Sequence, residues 1–154
     1  MMNKTFFLIA FKEGHGILIL KKKALERWEL PKIASSKEKP LSELAEEFMH
    51  KHFRANHRIL GQSSVMDSYE WPKELQSITG KEGGEHRFIF LELTGKADKS
   101  CLKSDEYSSY DFVDYDLLIQ KVVFKNHKKV LRDVLDDLNK KRRLKDRGVG
   151  NSGI

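Results

Sequence analysis

The chain has 154 residues, 39% hydrophobic and 34% charged, which is enough apolar material for one soluble domain with a proper core. Its single cysteine, Cys101, excludes an internal disulfide and a cysteine zinc cluster, and points to a reducing, cytoplasmic compartment. A net charge of +6 and a pI near 9.3 favour anionic partners such as nucleotides, nucleic acid or acidic lipid headgroups.

From the N-terminus, the residues from Thr5 to Phe11 form a short continuous apolar run, the pattern of a buried strand. The run is too short to cross a bilayer and lacks a small-residue cleavage site, so it reads neither as a membrane span nor as a signal peptide. Glu13-Gly14-His15-Gly16 marks a turn, and Ile17 to Leu20 a second strand, together a hairpin. Lys21-Lys22-Lys23 reads as a solvated charge run. Trp28-Glu29-Leu30 is strand-like and is closed by Pro31. A polar loop follows, and Pro40 opens an amphipathic helix, because a proline's missing N–H costs nothing in the first turn. Leu41, Leu44, Ala45, Phe48, Met49 and His52 share one face of that helix, and Glu43, Glu47, His50 and Arg54 the opposite face.

Beyond the helix, His57 to Tyr69 carries Ile59, Leu60, Val65 and Met66 around Gly61, and reads as one bulged strand or two short ones. Tyr69-Glu70-Trp71-Pro72-Lys73 follows, then a loop from Gly80 to Gly84, then a strong strand from Arg87 to Leu93. Thr94 to Ser104 is polar and loop-like. Aromatics at Tyr107, Tyr110, Phe112 and Tyr115 indicate another strand leading into a short helix. Val122-Val123-Phe124-Lys125 is an apolar link. Asn126 caps a last helix whose buried face carries Val130, Leu131, Val134, Leu135 and Leu138. That helix is expected to fray after Asn139. Lys140-Lys141-Arg142-Arg143, Lys145 and Arg147 follow. The expected division is a domain over 1–139 and a basic, disordered tail over 140–154, either a nucleic-acid contact or a solvated helix end. Strands mixed with two substantial helices imply an α/β layered fold.

The strand–loop–helix Trp28 to Phe53 resembles the signature segment of the Nudix hydrolases. Leu30-Pro31 matches its apolar-Pro pair. With Glu38 matched to the loop Glu, the loop is one residue short, and Glu47 falls on the helix's first metal-binding Glu. Phe48 fills the apolar position, while Glu46 replaces the Arg and Phe53 the closing Gly. The Glu-Glu pair becomes His50-Lys51, and Lys32-Ile33 stand where the loop glycines belong. Further along, Tyr69-Glu70-Trp71-Pro72-Lys73 resembles the Tyr-acid-x-Pro-Lys motif of two Nudix groups. These are the RNA 5′-pyrophosphohydrolases and the dinucleoside tetraphosphate hydrolases. Gly84-Glu85-His86-Arg87-Phe88-Ile89-Phe90, the stretch from Glu106 to Val113, and Val122-Val123-Phe124-Lys125 match later pieces of those groups in the same order.

The resemblance implies a Nudix fold, an α/β/α sandwich with a mixed β-sheet. It also implies hydrolysis of a nucleoside diphosphate linked to another group, assisted by Mg²⁺ held on helix carboxylates. Here the frame is present and most of that chemistry is replaced. A protonated Lys51 repels a divalent ion, and an imidazole at His50 suits zinc or copper better than magnesium. The reading taken forward is a pseudoenzyme-like protein that binds a dinucleoside polyphosphate or 5′-polyphosphorylated RNA with little or no hydrolysis and no required cofactor. Lys32, Lys51, Tyr69, Lys73, Arg87 and Lys125 are its candidate phosphate and nucleotide contacts, with Trp71 a further stacking candidate. The alternative is an active Mg²⁺- or Mn²⁺-dependent pyrophosphohydrolase. Glu47, Glu43 and His50 are then catalytic, Glu47 and His50 hold the metal, and Glu82 or Glu85 assist. A second alternative is a protein–protein interaction subunit that keeps only the scaffold.

Overall fold

The computed structural model describes residues 2–35, 39–70, 72–80, 83–121 and 128–151. Among them, eight strands form one mixed sheet with helices on both faces. The strand β1 (Met2–Lys12) runs parallel to β7 (Gly83–Leu93) along ten registered pairs, from Met2↔Gly83 to Phe11↔Glu92. Both strands are buried on two faces, which is why they read as unbroken apolar runs and not as alternating ones. Phe7, Ile9, Phe11, Phe88 and Phe90 point to a core covered by α3 (Tyr115–Lys121) and α4 (Lys128–Asn151). Leu8, Ala10, Ile89, Leu91 and Leu93 point to the other core, covered by α1 (Leu41–His52) through Ala45, Phe48 and Met49.

The feature that positions the site is a split in the sheet. Strand β2 (Gly16–Lys22) pairs with β1 only at Phe11↔Ile17 and Lys12↔Gly16, and the two then diverge. Two short strands fill the wedge. On one side β3 (Arg27–Glu29) pairs with Leu20 to Lys22 of β2. On the other, β4 (Lys32–Ser35) pairs with Lys4 to Phe7 of β1. Leu30 and Pro31 sit buried between them, and the Leu8 N–H donates to the Pro31 carbonyl at 2.8 Å. A proline has no N–H for a ladder, so it fits the switch between two strands and not the middle of one. The stretch after Pro31 therefore begins as a strand rather than the expected loop, because the diverging edge of β1 offers it a partner.

Gly16 makes the narrow end of the wedge possible. Its φ is +113°, and a Cβ there would lie 2.5 Å from the Val113 carbonyl oxygen of β8 (Tyr107–Val113). The segment after α1 resolves into two strands, β5 (His57–Gln62) and β6 (Asp67–Glu70), with a bulge between Ile59 and Gly61. β7 begins at Gly83, earlier than the strand expected from Arg87, since Gly83 and Gly84 pair with both β1 and β6. A short helix not anticipated from the sequence, α2 (Lys73–Thr79), has no buried residue. α4 continues to Asn151 and does not end near Asn139; Lys and Arg are good helix formers and favour its continuation past Leu138. Glu38, Trp71, Glu82, Lys125 and the Asn126 cap lie outside the described residues.

Candidate functional site: a lysine-lined cleft

Where β1 and β2 have moved apart, a cleft of about 560 Å³ opens at the mouth of the wedge. Its walls are Thr5 and Phe7 of β1, Lys32 and Ile33 of β4, and Leu44, Glu47, Phe48, Lys51 and His52 of α1. Lys22 at the end of β2, His86 of β7, Glu106 just before β8 and Tyr107 at its start complete it. The split thus lets helix, wedge and two distant strand ends contribute to one concavity.

Three lysines line this cleft, and both of its carboxylates are engaged by ammonium groups. Glu47 Oε1 is 2.9 Å from Lys39 Nζ, and the charge and hydrogen bond of Glu47 raise the Lys39 pKa above its usual value. Glu106 Oε1 lies 3.7 Å from Lys51 Nζ. Spacing of i,i+4 along the helix would pair Glu47 with Lys51 and Glu46 with His50; instead Glu47 and Lys51 take the partners just given, and Glu46 faces His57 at 2.7 Å. Such partners are set by where other segments approach α1, which spacing along the helix does not encode.

Beside the cleft lies a third carboxylate, Glu29, with only 8% of the residue exposed. It accepts a hydrogen bond from the Tyr107 hydroxyl at 3.2 Å and lies 3.6 Å from Lys32 Nζ. Burial first, and then the charge of Glu29, push the Tyr107 pKa well above the ordinary phenol range, so the phenol stays a donor. His52 closes α1 at 4% exposure, its ring between Phe48 and Tyr107. The loop before β8 is strapped to this helix end: the Lys103 N–H donates to the His52 carbonyl and the Arg54 N–H to the Cys101 carbonyl.

Of the residues singled out in the sequence, the fold brings Lys32, Glu47 and Lys51 together in the cleft lining. Glu43 and His50 are exposed on α1 outside that lining. Lys73 is exposed at the start of α2. Arg87 is half-buried on β7 and donates to Glu85 at 2.7 Å, a bond that holds the Glu85 carboxyl below its usual range. Tyr69 has its backbone in β6, registered with Gly84. Lys22, His52, His86, Glu106 and Tyr107 join the cleft without having been legible as site residues. Lys22 reads as part of a solvated run, and His52 sits on the apolar face of its helix.

The Nudix resemblance implies a magnesium ion on helix carboxylates, and the donors among the described residues do not fit one. Glu47 is paired with Lys39, Lys51 stands in the same cleft, and His50 is outside the lining. Among the described residues, no three His, Cys, Asp or Glu side chains converge as a metal-binding group.

The chain matches no protein-family model and no curated protein. Its likenesses are to solved structures. A C. elegans Ap4A hydrolase, solved as a binary complex, superposes with a TM-score of 0.64 at 12% identity, over 90% of this chain and 98% of that one. A NUDIX hydrolase structure from Listeria monocytogenes gives 0.63 at 16% identity, over 92% and 95%. The NUDIX domain of Shewanella oneidensis NrtR, complexed with ADP ribose, gives 0.59 at 11% identity, over 90% and 89%. The chain has the Nudix fold. At these identities the likeness lies in the backbone, so the chemistry of this version of the Nudix fold has to be read from its own side chains. Among the described residues, no helix is long and apolar enough to cross a membrane.

Proposed function

We propose that the cleft binds a nucleoside joined through a diphosphate or longer bridge, as in a dinucleoside polyphosphate or a 5′-polyphosphorylated RNA, with little or no hydrolysis. The observation that carries this reading is the charge of the lining: Lys22, Lys32 and Lys51 face one concavity whose two carboxylates are already paired. Lysine is a legitimate phosphate partner as a point charge, and Lys32 and Lys51, whose carboxylate partners lie at 3.6 and 3.7 Å, join Lys22 as cations that a bridging phosphate can draw on. The apolar side of the cleft, Phe7, Ile33, Leu44 and Phe48, offers surface to a nucleoside. The ADP-ribose and Ap4A hydrolase structures of the same fold support a nucleotide-type ligand.

The test is calorimetric titration with ADP-ribose and with Ap4A, each with and without Mg²⁺, beside chromatography of the same mixtures. The expected result is binding that persists in EDTA, weakens steeply with salt, and leaves the ligand intact. Magnesium-dependent turnover that Glu47→Gln abolishes would overturn it in favour of an active pyrophosphohydrolase, the reading that the presence of Glu47 in the lining favours. The scaffold-only reading draws on Leu75 and Ile78, exposed by 39% and 81% on α2; it requires that neither ligand bind.

A further inference from the structure

We infer that His52 is a ligand-contacting donor of this cleft, held by Ser104 as a neutral imidazole whose Nε2–H meets a phosphate oxygen. This rests on the cleft being the phosphate site and adds to it a specific contact that no lysine supplies.

Ser104 fixes the tautomer of His52. Its Oγ accepts from the Glu106 N–H at 3.1 Å and from the Tyr107 N–H at 3.1 Å. A hydroxyl oxygen has two acceptor positions and one proton to give. With both positions filled, the Ser104 hydrogen goes to the third neighbour, His52 Nδ1, at 2.7 Å. Nδ1 is then an acceptor, and the ring proton of the neutral imidazole resides on Nε2. The tautomer follows from counting donors and acceptors around one oxygen.

Packing then aims the ring. Phe48 lies at 4.7 Å from its centroid and Tyr107 at 5.1 Å, and all three line the cleft. With Nδ1 bonded to Ser104, Nε2 is the ring nitrogen left to serve the cleft that His52 lines. The charged groups around it are Lys51 on its own helix, Glu47 one turn earlier, Asp105 and Glu106 on the loop before β8, and Lys22 across the cleft. Burial and, to a lesser degree, Lys51 hold the His52 pKa below its ordinary value against the carboxylates of Glu106 and Asp105. A second proton at Nδ1 would also confront a Ser104 oxygen whose acceptor positions are taken. The group is thus a fixed neutral donor, directional where the lysines are not. It favours a ligand that places a bridging-phosphate oxygen between Lys51 and Phe48.

The experiment uses the full-length protein with ¹⁵N-histidine and ADP as the probe. Long-range ¹H–¹⁵N correlation of the His52 ring is expected to give the Nε2–H pattern, persisting below the ordinary histidine range, with the Nε2 resonance shifting as ADP saturates. In calorimetry, His52→Leu weakens ADP binding by about tenfold, the scale of one hydrogen bond to a charged group. His52→Gln keeps a donor at the Nε2 position and restores most of that loss, and Ser104→Ala frees Nδ1 so that the Nε2–H pattern gives way to a mixture of tautomers. An Nδ1–H tautomer, an Nε2 signal indifferent to bound ADP, or His52→Leu binding like wild type would each overturn the inference while leaving the cleft assignment standing. Absence of binding of ADP, ADP-ribose and Ap4A alike by the wild-type protein sinks both.

Discussion

Lys51 is the residue on which the functional reading turns, because it occupies the helix position where a metal-binding carboxylate would be expected from the Nudix resemblance. Its ammonium lies 3.7 Å from Glu106 and is largely exposed, so it is available to a competing anion. Lys51→Glu is expected to weaken metal-free ADP-ribose binding by roughly tenfold or more, measured by calorimetry at low salt. Beneath it, Tyr107 and Glu29 form a buried donor–acceptor pair. Tyr107→Phe removes the donor from a carboxylate that stays buried, and is expected to cost about 1–3 kcal/mol in chemical denaturation. His52 carries a pH signature of its own. Its folded-state pKa is lowered from 6.5 by burial, so the unfolded chain binds a proton that the folded chain refuses. Stability is therefore complete above the unfolded value and falls as pH drops through the ordinary histidine range, levelling off below the folded value. His52→Gln is expected to flatten that segment of the stability–pH curve, which urea titrations at successive pH values will measure.

At the scale of elements, the hairpin that joins β1 to β2 holds the narrow end of the wedge. Gly16 combines a φ of +113° with a backbone neighbour at 2.5 Å from any added Cβ. Gly16→Ala is expected to destabilise the fold by about 1–3 kcal/mol or more, read from the thermal midpoint, since both strain and the Val113 contact oppose it. The cleft should loosen with it, because β8 is registered against β2 from Ile17 to Lys22. α1 illustrates how much of an element is local. Its apolar stripe at Leu44, Ala45, Phe48 and Met49 is buried as the helical spacing predicts. Its outward partners are not local: Lys39, His57 and Glu106 come from the preceding segment, from β5, and from the loop before β8.

Across the whole molecule, charge and packing are unevenly shared along the chain. Residues 140–154 hold six of the 29 basic residues and one of the 23 acidic ones, and so five of the six net positive charges. Among the residues whose burial is described, the last buried one in α4 is Leu138; beyond it Arg142 lies over the Phe11 ring at 4.7 Å and meets Glu13 at 2.7 Å. A chain ending at Asn139 is proposed to keep its fold, losing no more than about 2 kcal/mol from the cation–π contact and a surface ion pair. Circular dichroism through the thermal transition will measure that. Earlier in α4, Asp137 accepts from the Ser63 hydroxyl at 2.7 Å and the Ser64 N–H at 2.9 Å, tying the helix to the loop between β5 and β6. The positions on either side of that tie, Val134, Leu135 and Leu138, were readable as a stripe; the tie itself joins residues 74 apart and has no local trace.

Periodicity and composition were sufficient for the elements that bury a regular face: the two apolar strands at the centre, the amphipathic α1, and the stripe of α4. They also carried the resemblance to the Nudix layers, because a sheet covered on both sides demands unbroken apolar runs and helices with one greasy side. What needed the packed chain was everything made between distant segments. The wedge of β3 and β4, the paired carboxylates, and the approach of Ser104 to His52 across 52 residues of chain all belong to that class. A side chain's hydrophobicity is written in its own position, whereas a partner and a protonation state exist only once the backbone has brought two remote positions within a few ångströms.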